Sequence, residues 1–213
     1  WLQLMDTHLP YLPPERHRSD HLTRAKIYDR WQALTSRPYD LSEQEVADLH
    51  DLYRGEARYV DERLKGFIDT LKSRGIWEST AIVFTSDHGE LFGDREVPGD
   101  APMKHPTYLC EEISHVPLVI AGGAVDSEML THPTSGMDIA PTITKWLNAQ
   151  SDDDWRGVEI GSEAHFERSE VVTAVSHTRG SGVSIDPEEL HIAVRDDTRE
   201  LLWWRSDHPN EYY

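Results

Sequence analysis

Apolar and polar positions fall into two rhythms along this chain, and each rhythm specifies a kind of element. Between Ser42 and Gly75, apolar residues recur in steps of three and four at Val46, Leu49, Tyr53, Ala57, Val60, Leu64, Phe67 and Leu71. That spacing lays a single apolar stripe along an amphipathic helix. Ser42-Glu43-Gln44-Glu45 is a capping box at its start, the serine taking a backbone amide and Glu45 reaching back. Lys72 and Arg74 complement the helix dipole at the far end, and Gly75 stops the helix. Gly55 and Gly66 inside it are each expected to cost about 1 kcal/mol relative to alanine.

The second rhythm is the continuous apolar run. Ala81-Ile82-Val83-Phe84-Thr85-Ser86 and Val116-Pro117-Leu118-Val119-Ile120-Ala121 suit strands buried on both faces, as in a parallel sheet. Leu2 and Leu4 predict a short strand that ends at Met5-Asp6-Thr7-His8, because Pro10, Pro13 and Pro14 then forbid regular structure. The charged segment from Glu15 to Tyr39 has a weak helical pattern and reads as a surface excursion. Asp138 is placed to cap a helix through Leu147, with Pro141 in its first turn. Val171–Ser176, Leu190–Arg195 and Glu200–Trp204 read as strands of an antiparallel terminal unit. The acidic, glycine-punctuated stretch Ser151–Gly161 marks a boundary, which predicts an α/β domain over residues 1–150 and a small antiparallel subdomain over 151–213.

Charge narrows the function classes. Asp and Glu total 39 against 21 Lys and Arg, a formal charge of -18, whereas a general nucleic-acid binder needs a basic footprint. The acidity is spread along the chain, with only Asp152-Asp153-Asp154 resembling a tail-like block. That distribution matches a salt-adapted protein as well as an ordinary acidic one, since concentrated salt screens the repulsion between carboxylates. One cysteine, Cys110, excludes an intrachain disulfide and reads as a half-buried thiol beside a strand. No run reaches the roughly 18 apolar residues of a membrane span. With no initiator methionine and an apolar start at Trp1, the chain reads as the later part of a longer protein. Oligomeric state and compartment are not legible from these residues.

The 81–86 run ends in Asp87-His88-Gly89-Glu90, and in open α/β sheets ligands sit at the carboxyl ends of strands. A carboxylate and an imidazole side by side can ligate one divalent cation or serve two. The same four residues also suit a turn in which Asp87 caps the backbone and His88 is simply exposed. His8, Lys104 and His105, each taken alone, read as loop or surface residues.

Taken in order, these segments resemble a known family. Thr80 to Glu90 closely resembles the metal-binding strand end of the sulfatase branch of the alkaline phosphatase superfamily. Asp6-Thr7-His8-Leu9-Pro10-Tyr11 resembles its H-x-P-Y segment, and Met103-Lys104-His105-Pro106-Thr107-Tyr108 with Val116 to Ile120 resembles its G-K-H-x-x-Y and V-P-L-I-I segments. Met137-Asp138-Ile139-Ala140-Pro141-Thr142 is similar to its D-x-x-P-T helix start, and Glu211-Tyr212-Tyr213 to the opening of its E-L-Y-D-L motif.

The resemblance implies a sulfatase-like α/β fold: a mostly parallel sheet flanked by helices, present in part, with a small C-terminal antiparallel subdomain. It implies that Asp87 and His88 ligate a divalent metal, that Lys104 binds an ester oxygen, and that His8 protonates the leaving oxygen. His105 is a further candidate for the anion pocket, and Asp6 and Glu90 orient their neighbours. The substrate class is a small anionic ester. The reaction implied is hydrolysis of sulfuric esters, the alternatives being phosphoric mono- or diester or phosphonate hydrolysis, a phosphoglycerol-type transfer, or a non-catalytic binding module.

The sequence also departs from the pattern. Calcium-holding relatives present Asp-Asn where this chain has Asp-His, and an imidazole suits manganese or zinc better, so Ca, Mn and Zn all stand. His115 occupies the place of a common arginine before the V-P-L strand. The family's nucleophile and two further acidic ligands have no counterpart in these residues. Cys110 lies in no C-x-P-S-R or C-x-A-x-R context. The chain alone is expected to be inactive.

Overall fold

A computed structural model describes residues 1–93, 103–104, 109–123, 125, 129–150, 152, 154–176, 190–196 and 200–204; the side chains of residues 104, 175–176, 190–191 and 200–204 fall outside that description. The chain divides into two compact units, residues 1–82, 90–106 and 120–125 forming the first and residues 83–89, 107–119 and 126–213 the second.

The first unit is built on two helices, α1 (Arg24–Ser36) and α2 (Glu43–Ser73). Both halves of the capping box at Ser42 are made: Ser42 Oγ accepts the Glu45 amide at 3.3 Å, and Glu45 accepts the Ser42 amide at 2.9 Å. Along α2, Leu49, Leu52 and Val60 are buried, while Ala57 and Phe67 of the predicted stripe are exposed. Helix α1 corrects the expectation of a surface excursion. Ile27 and Leu34 are buried at helical spacing, but the position between them is Arg30, whose Nε lies 2.7 Å from Asp48 Oδ2 on α2. A charge on the buried stripe hides the apolar period, and its partner lies on another element. Asp48 is itself 2% exposed, and burial opposes its ionisation. Hydrogen bonds from His21, Arg30 and Gln44 outweigh that cost and hold the carboxyl below its usual range.

The predicted strand at Leu2–Leu4 is absent, since residues 1–5 have no regular structure. Tyr11 instead carries this segment into the core, where it joins Leu22, Ile27, Leu34, Leu49, Leu52, Phe92 and Met103. Phe92 and Met103 come from a short antiparallel ladder, β2 (Leu91–Phe92) with β3 (Met103–Lys104), in which Leu91 faces Lys104. The strands β1 (Ala81–Thr85) and β4 (Leu118–Gly122) pair with each other. Burial on both faces does not hold for them here: residues 82–84 are half-buried, and Val119 is exposed.

The second unit contains α3 (Glu111–Ser114), α4 (Ile139–Trp146), α5 (Glu163–Phe166) and the sheet β5 (Val171–Ser176), β6 (Leu190–Arg195), β7 (Glu200–Trp204). The sheet is antiparallel with β6 in the centre, over the three stretches the sequence pattern predicted. Cys110 is fully buried rather than half-buried. Asp138 does not cap α4 with its side chain. It is buried and accepts from the Ser135 amide at 2.8 Å and the Val158 amide at 2.9 Å, and both guanidinium nitrogens of Arg168 reach it. Burial raises the cost of its charge, but Arg168 and the two amides overcome it, so the carboxyl stays below its ordinary range.

Two predictions follow from this packing. A Cβ at Gly55 would lie 2.5 Å from the His17 carbonyl and 2.8 Å from Pro13, whereas one at Gly66 would meet nothing within 4 Å. Gly66→Ala is expected to stabilise the protein by about 1 kcal/mol, and Gly55→Ala to destabilise it by about 1–3 kcal/mol through overpacking. Urea unfolding of the two variants checks both signs. For Asp138, a folded-state pKa below the unfolded one supplies stability that is complete above the unfolded value of about 3.9. That stability disappears as pH falls through the folded value. Asp138→Asn is therefore expected to cost about 3–5 kcal/mol at neutral pH, because Arg168 loses its buried counter-charge. Its stability should also fall less steeply than the parent's below about pH 4, as denaturant titrations across that range would measure.

Candidate functional site

Strand β1 delivers the chain into a tight polar turn at residues 86–89. Ser86 Oγ donates to the His88 carbonyl at 2.7 Å, and the His88 amide donates to Asp87 Oδ1 at 3.1 Å. Asp87 thus holds the turn with one oxygen while its side chain stays 85% exposed. His88 Nδ1 lies 2.8 Å from the Gly89 carbonyl. A ring nitrogen can bond a carbonyl only through its proton, so Nδ1 carries the hydrogen and Nε2 the lone pair. That nitrogen stands 4.0 Å from Asp87 Oδ2.

This arrangement fits a divalent cation. Adjacent ligands bonded at about 2.1 Å to one ion stand roughly 3.0–3.4 Å apart, a gap that a small rotation of the exposed Asp87 side chain would reach. A backbone carbonyl on the remote ring nitrogen is the usual support for a metal-binding histidine. One carboxylate oxygen and one imidazole nitrogen favour manganese or zinc over calcium, which prefers oxygen alone. Among the described residues there is no group of three or more His, Cys, Asp or Glu side chains able to hold a metal ion. Asp87 and His88 by themselves could offer an ion at most two ligands.

Gly89 fixes where the turn sits. Its amide donates to the Ile113 carbonyl of α3 at 2.8 Å, and a Cβ at this position would lie 1.9 Å from the Glu112 carbonyl. No side chain fits between the turn and the helix backbone. The sequence marked Gly89 only as part of a motif, because the backbone it approaches is more than twenty residues away.

Glu90 belongs to the first unit, where its Oε2 accepts a hydrogen bond from Tyr11 at 3.1 Å. Tyr11 is 3% exposed and sits against Tyr53 and Phe92, with ring centroids 5.5 and 6.3 Å away. Burial, followed by the Glu90 charge, pushes its phenol far above the ordinary range, so it remains a donor at any working pH. The tyrosine of the H-x-P-Y segment is therefore an anchor for the last residue of the D-H-G-E motif. Sequence reading had assigned it no role.

The remaining predicted residues are placed in the first unit as well. His8 is exposed in a turn closed by its amide to the Met5 carbonyl at 3.0 Å. Its Nδ1 lies 2.7 Å from the Leu9 carbonyl, which leaves the lone pair on Nε2 as in His88. Asp6 is half-buried and adds its negative charge to the environment of Glu56. The carboxyl of Glu56 is raised first by burial, and its Oε1 accepts the Leu12 amide at 2.6 Å. The backbone of Lys104 pairs with Leu91, immediately after Glu90, a proximity no spacing rule revealed. The Lys104 side chain, His105 and Glu211-Tyr212-Tyr213 lie outside the described residues.

Known proteins resemble this chain in sequence and in fold. The family model described as Sulfatase matches residues 1–149. The chain is 37% identical over 106 residues to the low-salt glycan biosynthesis sulfotransferase Agl7 of Haloferax volcanii, covering 49% of this chain and 26% of that protein. It is 31% identical over 105 residues to the choline-sulfatase of Rhizobium meliloti, covering 49% of this chain and 19% of that protein. Among solved structures, the phosphonate monoester hydrolase SpPMH from Silicibacter pomeroyi superimposes with a TM-score of 0.69 at 22% identity, covering 85% of this chain and 40% of that one. The chain thus spans about a quarter or less of the length of those two curated relatives. In fold it is alkaline phosphatase/sulfatase-like, and by sequence the chain belongs to the sulfatase family of the alkaline phosphatase superfamily.

Proposed function

We propose that this chain supplies one wall of the active site of a metal-dependent sulfuric-ester hydrolase. The observation that carries this reading is the Asp87–His88 pair at a strand end, with His88 Nδ1 on the Gly89 carbonyl and Nε2 4.0 Å from a carboxylate oxygen of Asp87. Choline-sulfatase, among the relatives, is named for that class of chemistry.

Asp87 and His88 would hold a divalent ion, and enzymes of the superfamily use one. When bound, that ion supplies Lewis acidity toward the ester oxygens. The other roles fall to groups of this chain. His8 would serve the leaving oxygen through Nε2, donating a proton from the imidazolium form of the ring. Lys104 would pair with an ester oxygen and offset negative charge that grows in the transition state, and His105 would line the same anion pocket. Glu90, held by Tyr11, would orient the end of the motif, and Asp6 would do the same for the His8 turn. The nucleophile would come from residues outside this chain, so residues 1–213 by themselves would be inactive.

A second reading is sulfuryl transfer to an acceptor other than water, favoured by the sulfotransferase among the relatives. Both readings share the metal pair and differ in what receives the sulfuryl group.

The test is turnover of an aryl sulfate by the full-length protein in the presence of manganese. Asp87→Ala is expected to lower kcat/KM by about 100-fold or more, the several kcal/mol that Lewis-acid stabilisation contributes. Unchanged turnover in that variant would overturn the site assignment. Free sulfate as the product supports hydrolysis, whereas label carried onto an added sugar acceptor supports transfer. Preference for an aryl phosphate or phosphonate over the sulfate would move the substrate class to phosphorus esters.

A further inference from the structure

The support beneath the Asp87–His88 turn extends further than the turn itself. Gly89 donates to the Ile113 carbonyl at 2.8 Å, and the Glu112 carbonyl occupies the space a Cβ at Gly89 would need. The turn therefore follows the backbone of α3 closely, and any tilt of α3 moves it.

Helix α3 cannot hold its own orientation. It has four residues, its N-cap Cys110 makes no side-chain capping bond, and an isolated single turn is unfavourable in water. Among the described residues, two contacts restrain it from outside. Ile113 is buried under one face, and on the other Glu111 Oε1 receives Arg195 Nη2 at 2.6 Å. Arg195 is the last residue of β6, the central strand, where it faces Val171 on β5 and Glu200 on β7. Its backbone is thus held on both sides, and the guanidinium reaches from a fixed sheet to a short helix. The Arg195 side chain is only 30% exposed, against 50% for Glu111. His115, on the next turn, brings Nδ1 to 3.6 Å from the same Glu111 oxygen. His115 moves with the helix, so among the described cations beside Glu111 only Arg195 can restrain it.

We infer that Arg195 is a positioning residue for the Asp87–His88 pair, acting through Glu111 and the backbone of α3. The inference rests on the reading of Asp87 and His88 as metal ligands. It also gives the C-terminal sheet a function beyond packing: it sets the angle at which the strand-end ligands are presented.

The experiment is calorimetric titration of manganese into the full-length protein, with melting measured in parallel. Asp87→Ala serves as the reference and should abolish binding. Arg195→Ala is expected to weaken manganese binding by about 10-fold, the lower end of what losing an outer support costs a metal site. Its melting midpoint should stay within about 3 °C of the parent, because a partly exposed ion pair adds little to stability. Arg195→Glu alone should weaken binding at least as much, and adding Glu111→Arg should restore affinity to within about threefold, since swapping the charges rebuilds the same restraint. Where Arg195→Ala fails to fold, Glu111→Gln tests the same link with a side chain of the same shape. If Asp87→Ala binds manganese like the parent, the metal-site reading fails and this inference fails with it. If Asp87→Ala loses binding while Arg195→Ala and Glu111→Gln keep the parent affinity, the metal reading stands and the positioning role is wrong. A loss in Arg195→Glu that the charge swap does not recover would overturn the role as well.

Discussion

The interaction on which the candidate site depends is the contact between Gly89 and the backbone of α3. A 2.8 Å amide-to-carbonyl bond and a carbonyl lying where a Cβ would go leave the turn almost no latitude. The next residue is fixed as well, since Glu90 accepts from a tyrosine buried in an aromatic core. Asp87 and His88 stand immediately before Gly89 on the same turn, Asp87 exposed and His88 half-buried. An exposed carboxylate and a half-buried imidazole on a turn fixed in this way are held more precisely than on an ordinary surface turn.

A second constraint is the handling of charge inside an acidic protein. Among the described carboxyls, Asp48 and Asp138 are almost fully buried, and each is held below its usual range by an arginine on another element. Glu45 behaves similarly, held to about 2 by the Ser42 backbone and by Arg37. Glu56 goes the other way. Burial and the nearby Asp6 raise its carboxyl, and the Leu12 amide compensates only in part. The contrast follows from the partner. A guanidinium supplies a full opposite charge at short range, whereas one backbone amide supplies only a dipole. Breaking any of the arginine-paired sites therefore leaves an uncompensated charge behind, which makes them costly to alter even though the intact pairs add modest net stability.

How much of this was legible in the sequence depends on how far apart the cooperating residues lie. Helix α2 was legible because its cap and its stripe are local, and the strands β5, β6 and β7 because turn residues bound each of them. The Asp87–His88 turn was legible as a polar motif at a strand end. Helix α1 was not, since Arg30 interrupts the apolar period and only Asp48 on another helix explains it. The strand predicted at Leu2–Leu4 failed for the opposite reason. Alternation over three residues carries too little apolar surface to fix a strand, and Tyr11 provides the anchor instead. Tyr11 with Glu90, Gly89 with α3, and Lys104 beside Leu91 are all contacts across long sequence separations, which no window of neighbouring residues contains.

The acid excess bears on the proposed chemistry through range. A formal charge of -18 repels an anionic ester while it is still distant, but that field is screened over about 10 Å at 0.1 M salt and about 3 Å at 1 M. A contact made at hydrogen-bond distance lies inside either length. Capture of the ester would then rest on cations within a few ångströms of it, while the surrounding carboxylates set how often an ester arrives. Ionic strength should therefore act on encounter and leave the chemical step nearly untouched. The carboxylates of Asp48 and Asp138 add little to that distant field, because each is already matched to an arginine inside the fold.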